Sequence, residues 1–470
     1  MQYVKPADKD SSRVMRAKKH QHPVGTHRWE SRLLGTWGRS ALVPVRLMSA
    51  RNSDQLAGVL AAELDNGVIA YGAGRSYGDA PLNSSGHVLL TRRMNRVLEF
   101  DSATGDIVCE PGVSFDELFS TFLPKGYLVP VTPGTAFATI GGAVANDVHG
   151  KNHESVGSFG DHVLWIDLLL PNGEIRRIAR NHNEELFHAT IGGIGLTGFI
   201  LAICFRMRKV GSNAVMVAER RIEDLDAFLA ALESVRQRTG YSVGWIDGLA
   251  RGRHSGRGIL ETAELSAEGV AEKPRRTLGI GFDFPGSTLN PWSVALFNSL
   301  YYRRVPAGGR ERLVHLSRFL YPLDVLHGWN RIYGKRGFYQ FQCVLPDSTS
   351  VAGLEQLLDS IQRSRAASFL AVLKTLGGEG LGYLSFPQRG YTLALDFPRK
   401  PGVRELMNRL ERITLEHGGR IYLAKDACVS AAGFREMYPK LDQYRDVLNA
   451  VDPEQRMNSD MARRLCIRQD

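Results

Sequence analysis

Three glycine-rich stretches decide how this chain folds: Gly72-Ala73-Gly74-Arg75-Ser76-Tyr77-Gly78-Asp79, then Pro133-Gly134-Thr135 running on through Thr139-Ile140-Gly141-Gly142, Asn146, His149 and Gly150, then Ile191 to Gly198. The first follows a strand-like run at 68–71, and its glycines let successive backbone N–H groups converge on an anion. A plain strand-to-helix turn fits those residues as well. The second opens with turn chemistry and continues in small residues, which let a short helix lie close to something flat. The third contains G-x-G-x-x-G at 193–198, but a helix-like run precedes it and a β-rich run follows. A nicotinamide-binding fingerprint needs the reverse order.

Outward from these stretches, the pattern predicts a helix over 53–64 starting at Ser53 or Asp54, strands near 88–90 and 107–110, and a helix over 114–123. A hairpin over 163–178 turns at Pro171-Asn172-Gly173, and a strand covers 198–208. From about residue 211 the texture changes to longer helical patterns at 222–239 and 349–365, with strands at 337–345 and 391–397. The tracts 251–258 and 285–292 suit either lids or ordinary surface loops. The fold class is α+β, and 470 residues favour two domains.

Lys and Arg number 59 against 49 Asp and Glu, so the surface attracts anions, with mere solubility as the plainer reason. No nucleic-acid-binding signature accompanies that charge, so nucleic acid is not expected as a partner. The five cysteines are scattered, with no C-x-x-C pair, which argues against disulfides or zinc and for small buried apolar groups. His149 and His153 are four apart but lack an H-E-x-x-H pattern, so no metal is expected. Neither a membrane-spanning run nor a secretory leader stands out, which predicts a cytoplasmic protein. Residues 1–29 form a basic tail, expected to be disordered, with attraction to anionic lipid as its functional option.

Three glycine-rich patches in this order, covering about 53–210, resemble the FAD-binding domain of the vanillyl-alcohol-oxidase (PCMH-type) superfamily. The strings GRSYGD (74–79), DVHGKNH (147–153), GSFGDHV (157–163), YPLD (321–324), WNRIYG (329–334), YLAKD (422–426) and SDMARRL (459–465) extend the likeness from about residue 30 to the C-terminus. They resemble the decaprenylphosphoryl-β-D-ribose 2′-oxidase family.

That resemblance implies a two-subdomain FAD-binding domain at 30–210, a substrate (cap) domain with an antiparallel sheet and helices at 211–419, and a segment at 420–470 returning to the FAD domain. It assigns the cofactor to Gly72, Ala73, Gly74, Arg75, Ser76, Tyr77, Gly78, Pro133, Gly134, Thr135, Thr139, Ile140, Gly141, Gly142, Asn146, His149, Gly150, Gly195, Gly198, Ile200 and Tyr422. It assigns substrate to Lys151, Tyr321, Asn330, Gln340, Gln342, Lys374, Thr392 and Lys425, and catalysis to Lys425, His149 and Tyr77. The implied reaction takes hydride from C2 of a polyprenylphosphoryl ribose, and an NAD(P)H-dependent short-chain reductase completes an epimerisation. A peripheral contact with the inner membrane face goes with such a substrate.

Covalent members of the superfamily often carry histidine where this chain has Arg75, which is no nucleophile, so FAD is expected to bind non-covalently, with a covalent link from His149 or a cysteine as the alternative. Mycobacterial members carry cysteine where Ala394 stands, the attachment point of covalent nitro-aromatic inhibitors, and asparagine where Thr392 stands. Alcohol oxidation needs a base for the hydroxyl proton, which a histidine, a tyrosinate or a lysine of lowered pKa can provide. His149 fits that role and also a purely orienting one; Lys425 fits a functional role or a solvated surface position. A sugar-alcohol or aldonolactone oxidase of the same flavin fold is the alternative enzyme, and a flavin-free scaffold the non-enzymatic one.

Overall fold

The computed structural model describes residues 29–271, 278–366 and 368–468. The basic tail therefore lies outside the described residues except for Trp29. Near the N-terminus, Glu30–Gly35, Leu42–Ser49, His87–Leu90 and Val68–Tyr71 form a four-stranded sheet in that spatial order. Its last three strands are parallel. A five-stranded antiparallel sheet follows, ordered Val97–Phe100, Asp106–Cys109, Phe199–Arg206, Val163–Leu169 and Ile175–Ala179. Helices Phe115–Phe122 and Ile140–Ala145 start at side-chain caps: Ser114 and Glu117 form a reciprocal capping box, and the Thr139 hydroxyl accepts from Gly142 N.

An eight-stranded sheet occupies the second half, ordered Arg310–His315, Ala214–Ile222, Gly258–Leu265, Tyr241–Ile246, Ala371–Leu376, Gly390–Pro398, Phe338–Pro346 and Arg420–Ile421. The strand period of two splits its central strands cleanly. Phe341, Cys343, Leu345, Leu393, Leu395 and Leu373 point to one side and are fully buried with Leu354, Leu357, Leu406 and Leu410 of helices Ser350–Ser364 and Val403–Glu416. Each such side chain contributes ~1.5–3 kcal/mol by leaving water. The other side carries Gln340, Gln342, Thr392, Ala394, Asp396 and Lys374. Their registers Gln342↔Ala394, Gln340↔Asp396 and Lys374↔Thr392 put them on a single face.

Several expected boundaries move. The first helix starts at Ser53, as expected, with Asn52 as its cap, but ends at Ala61, three residues earlier than expected. Ile222 ends a strand instead of opening a helix; Asp224 caps Leu225–Val235. The strand at 198–208 divides into Phe199–Arg206 and Arg208–Lys209. The tract 285–292 ends in Asn290, which caps helix Pro291–Arg303. Lys425 lies just beyond a strand: Tyr422 N still donates across to Gln342 O at 2.9 Å, and 422–425 then closes as a turn with Lys425 N donating to Tyr422 O at 3.0 Å. Four of the five cysteines are buried thiols, as expected.

Candidate active site

The three glycine-rich stretches meet in space. Gly72 lies so close to Thr139 that a Cβ there would sit 2.5 Å from Oγ1. Gly192 N and Ile194 N donate to Val144 O and Ala145 O at 2.9 and 2.7 Å, which binds the third stretch to the short helix of the second. The first turn is anchored from the far end of the chain. Tyr77 N donates to Ala424 O at 3.0 Å, and a Cβ on Gly78 would fall 1.5 Å from Asp426 O, so only glycine fits there. Arg464 completes the junction, donating to both Asp79 oxygens at 2.7 and 2.8 Å and to Asp426 at 2.8 Å.

Over this junction lies the polar face of the large sheet. Lys374 Nζ donates to Gly150 O at 2.8 Å and lies 2.9 Å from His149 Nδ1; the Gln342 amide lies 3.1 Å from Nε2. Both ring nitrogens are thus engaged. Burial, then the positive charge of Lys374, push His149 well below its ordinary pKa, so the ring is neutral. Its ring sits 5.3 Å from that of Tyr422, whose hydroxyl donates to Asn146 O, and 5.5 Å from Phe386. Asp147, with φ of 40° and a buried carboxylate, fixes this loop by accepting from Ser158 Oγ, Gly160 N and Ser385 Oγ at 2.7, 2.9 and 2.6 Å.

A second cluster adjoins the first. Lys425 Nζ stands 3.9 Å over the Tyr77 ring. Gln340 Nε2 and Tyr333 Oη donate to the two oxygens of buried Asp396 at 2.5 and 3.2 Å. Burial raises Asp396 to about 7 and lowers Lys425 to about 8, each opposed by the other's charge. Lys374 falls to about 7 and Lys151 to about 8, again mainly by burial. Tyr77 moves far above 10 through burial and the negative charge of Asp396, so it remains a phenol. Lys374 feels the charges of both Lys151 and Lys425, and only Lys425 is offset by Asp396, a local excess of positive charge that suits an anionic ligand.

The expected substrate residues are not all together. Gln340, Gln342, Lys374, Thr392 and Lys425 share the sheet face or its edge. Asn330 reaches the first turn indirectly, donating to Trp37 O at 3.0 Å while the Trp37 ring lies 4.2 Å from the Arg75 guanidinium. Lys151 donates to Phe319 O and covers the Phe319 ring at 4.2 Å. Tyr321 is 2% exposed and edge-on to Phe119 within the hydrophobic core.

A family model described as FAD binding domain matches residues 44–179, and one described as D-arabinono-1,4-lactone oxidase matches 392–465. The decaprenylphosphoryl-beta-D-ribose oxidase of Mycolicibacterium smegmatis is 37% identical over 450 residues, covering 92% of this chain and 97% of that one. The chain belongs to the decaprenylphosphoryl-β-D-ribose oxidase family. It is an FAD-dependent oxidoreductase of the PCMH-type superfamily. Within the wider set of flavin-linked oxidoreductases, the D-lactate dehydrogenase of Anaerostipes hadrus is 26% identical over 172 residues, 35% of this chain and 36% of that one. An uncharacterized protein of Streptomyces coelicolor, in the mprA 5′ region, is 32% identical over 371 residues, 75% of this chain and all of that one.

The residues of this oxidase-family chain fit FAD. Residues 72–76, Gly134, Thr135, Asn146, His149, Gly195 and Ile200 are partly open although their neighbours are buried. Among the described residues, Arg75 Nε and Asn146 Oδ1 are buried polar atoms with no partner, and a Cβ on Gly134 would touch nothing. Such atoms ask for a polar ligand. The N–H groups of Ile140, Gly141 and Gly142 are already given to Val113 O, Pro111 O and Thr139 Oγ1, so these residues offer a cofactor surface and not donors.

Two residues that the sequence reading gave no role, Asp396 and Arg464, hold this site together in the oxidase-family fold. Replacing Arg464 by alanine strands the Asp426 carboxylate, which is 1% exposed. The expected cost is ~3 kcal/mol, with lower flavin content, because the first turn loses its tie to Lys425. Thermal unfolding and the 450-to-280 nm absorbance ratio check this; an unchanged pair of values would remove Arg464 from the site.

Proposed function

We propose that this protein oxidises the C2′ hydroxyl of a polyprenylphosphoryl-β-D-ribose to the 2′-keto sugar, as the first half of an epimerisation to the arabinose form. The observation that carries the reading is the group of Lys151, Lys374 and Lys425, drawn below their ordinary pKa beside His149. A phosphate monoanion or dianion offsets that desolvated positive charge, whereas a neutral alditol or lactone does not. The mycolicibacterial relative's name supports the same substrate class.

FAD, when bound, supplies the hydride acceptor. The chain's own residues orient the sugar and take the proton. Lys425, as the free amine above pH about 8, accepts the hydroxyl proton. His149 is held by Lys374 and Gln342 and orients instead of titrating, and Tyr77 forms the floor under Lys425. Gln340 and Asp396 set the charge around Lys425, and Thr392, Gln342 and Lys374 bind the sugar. FAD is held without a covalent bond, by the backbone of 72–78 and 133–135 and by the surface of 139–150 and 195–200. A division at about 210 and 420 is supported by the sheets, which lie within 30–209 and 214–421, and by Tyr444 Oη donating to Gly193 O, which ties a C-terminal helix to the first half. A separate NAD(P)H-dependent reductase consumes the keto sugar, and the protein works on the cytoplasmic side of the inner membrane.

Anaerobic addition of polyprenylphosphoryl-ribose should bleach the flavin band within the mixing time of a stopped-flow instrument, while free alditols and aldonolactones should leave it unchanged. Bleaching by the free sugars alone would reject the phospholipid-linked substrate.

A further inference from the structure

Helix Pro291–Arg303 carries an apolar stripe that none of the described residues covers. Trp292, Leu296 and Leu300, spaced i, i+4, i+8, are 87%, 63% and 61% exposed, while the opposite side buries Val294 and Asn298. Leu278 and Phe282, on the segment leading to the helix, are equally open. Soluble surfaces rarely leave so many large apolar side chains together.

The position of this surface links it to the site. Phe297 of the same helix meets Phe369 at 5.8 Å, Phe369 stacks on Tyr333 at 5.5 Å, Tyr333 on Phe338 at 4.1 Å, and Phe338 meets Tyr77 edge-on at 5.4 Å. Ile280 and Leu289 pack on that same aromatic cluster. A contiguous run of packed aromatic rings, the aromatic path, therefore links the exposed helix to the ring beneath Lys425.

The rim is basic. Arg303 ends the helix, Arg221 donates to Arg303 O at 2.8 Å and lies over Tyr302, and Lys400 donates to Leu289 O at 2.5 Å. Among the described residues these three cations have no carboxylate in ion-pair range, and the whole chain carries a net charge of +10. Glu223 is the acidic group that acts on Tyr302 from the same side. An apolar stripe with an interfacial tryptophan and a cationic rim is the pattern of a helix lying in the headgroup region of an anionic bilayer. Among the described residues no helix is long and apolar enough to cross a membrane, so the contact is peripheral.

We infer that residues 278–303 form a docking surface for an anionic lipid bilayer, placing the aromatic path where a membrane-embedded polyprenyl chain can enter. The role given to the path rests on the substrate proposed above; the docking itself does not.

The test is sedimentation of the FAD-loaded protein with phosphatidylcholine vesicles, with and without a third of phosphatidylglycerol. The wild type should pellet with the anionic vesicles, and Leu296→Asp/Leu300→Asp should bind at least about tenfold less, since two leucines lose their burial. Val351→Asp, on helix Ser350–Ser364, is the matched control and should bind as the wild type does. The double variant should keep its flavin and its turnover of a short-chain, detergent-dispersed phosphoryl-ribose. Failure of the wild type to pellet, equal pelleting of the double variant, or a wild-type dimer in solution that the double variant dissolves would each overturn the inference. Vesicle binding without any flavin reduction by the phosphoryl-ribose would sink the substrate reading alone.

Discussion

Lys425→Ala should retain FAD and lose turnover by roughly 10²–10⁴-fold, the usual contribution of a positioned proton acceptor. The elimination behind this is structural. Tyr77 is driven far above 10 and has no tyrosinate to offer at neutral pH. His149 is neutral, but Lys374 and Gln342 engage both its nitrogens, so accepting a proton there would break an existing contact. Lys374 and Lys151 are also lowered, but their ammonium groups are committed to Gly150 O and to Phe319 O, whereas Lys425, lowered to about 8 through burial partly offset by Asp396, stands over the Tyr77 ring. Activity should therefore rise as pH increases through about 8, where the ammonium gives up its proton. In the alanine variant that rising limb should be absent. Asp396→Asn should move the limb to lower pH, because Lys425 loses the negative charge that favours its ammonium form. Rapid-reaction flavin reduction across pH 6–10 measures both. A variant that keeps near-normal rates and the same limb would remove Lys425 from proton transfer.

The sequence exposes the flavin half of this molecule far better than the substrate half, and the reason is locality. Residues 72–78 and 133–142 announce themselves because a turn followed by small residues is written in consecutive positions. The helix at 184–190 and the strand at 199–206 likewise give away the G-x-G-x-x-G at 193–198 as something other than a nicotinamide site. The polar sheet face to which substrate is assigned is assembled across distance. Gln340 finds Asp396 56 residues on, and Arg464 finds Asp79 385 residues back. No local pattern signals either pairing. Alternation does carry a trace: Gln340 and Gln342 on one strand, and Thr392, Ala394 and Asp396 on the next, each alternate with apolar neighbours, which marks one polar face. Periodicity is silent, however, on which aromatic of a loop turns inward, and so Tyr321 went to the core against Phe119. The helix beginning at Pro291 was equally hard to read, since its apolar side has no core partner and its stripe looks like loop composition.

Ala394→Cys should convert a protein that resists covalent capture by nitro-aromatic inhibitors into one that is captured stoichiometrically. Ala394 lies directly across from Gln342 and from Val372, between Thr392 and Asp396 on the polar face of its strand. Its side chain is partly open, so a thiol fits without displacing a core group. Cysteine at this position faces the same ligand space as His149 and Lys374, and the methyl of the present alanine offers no nucleophile there. Cys343, adjacent to Gln342, cannot substitute. It points to the opposite face, is fully buried and is held as the thiol by a pKa driven up to about 12. Intact-mass measurement after turnover with the inhibitor should show no adduct on the wild type and one adduct per chain on the variant, with oxidation of the phosphoryl-ribose within about threefold of wild type, as expected for a partly open side chain that gains one sulfur. An adduct on the wild type would mean that another thiol reaches the site. A variant that stays unmodified would mean that residue 394 faces away from the flavin, and with it the sheet face on which the substrate proposal stands.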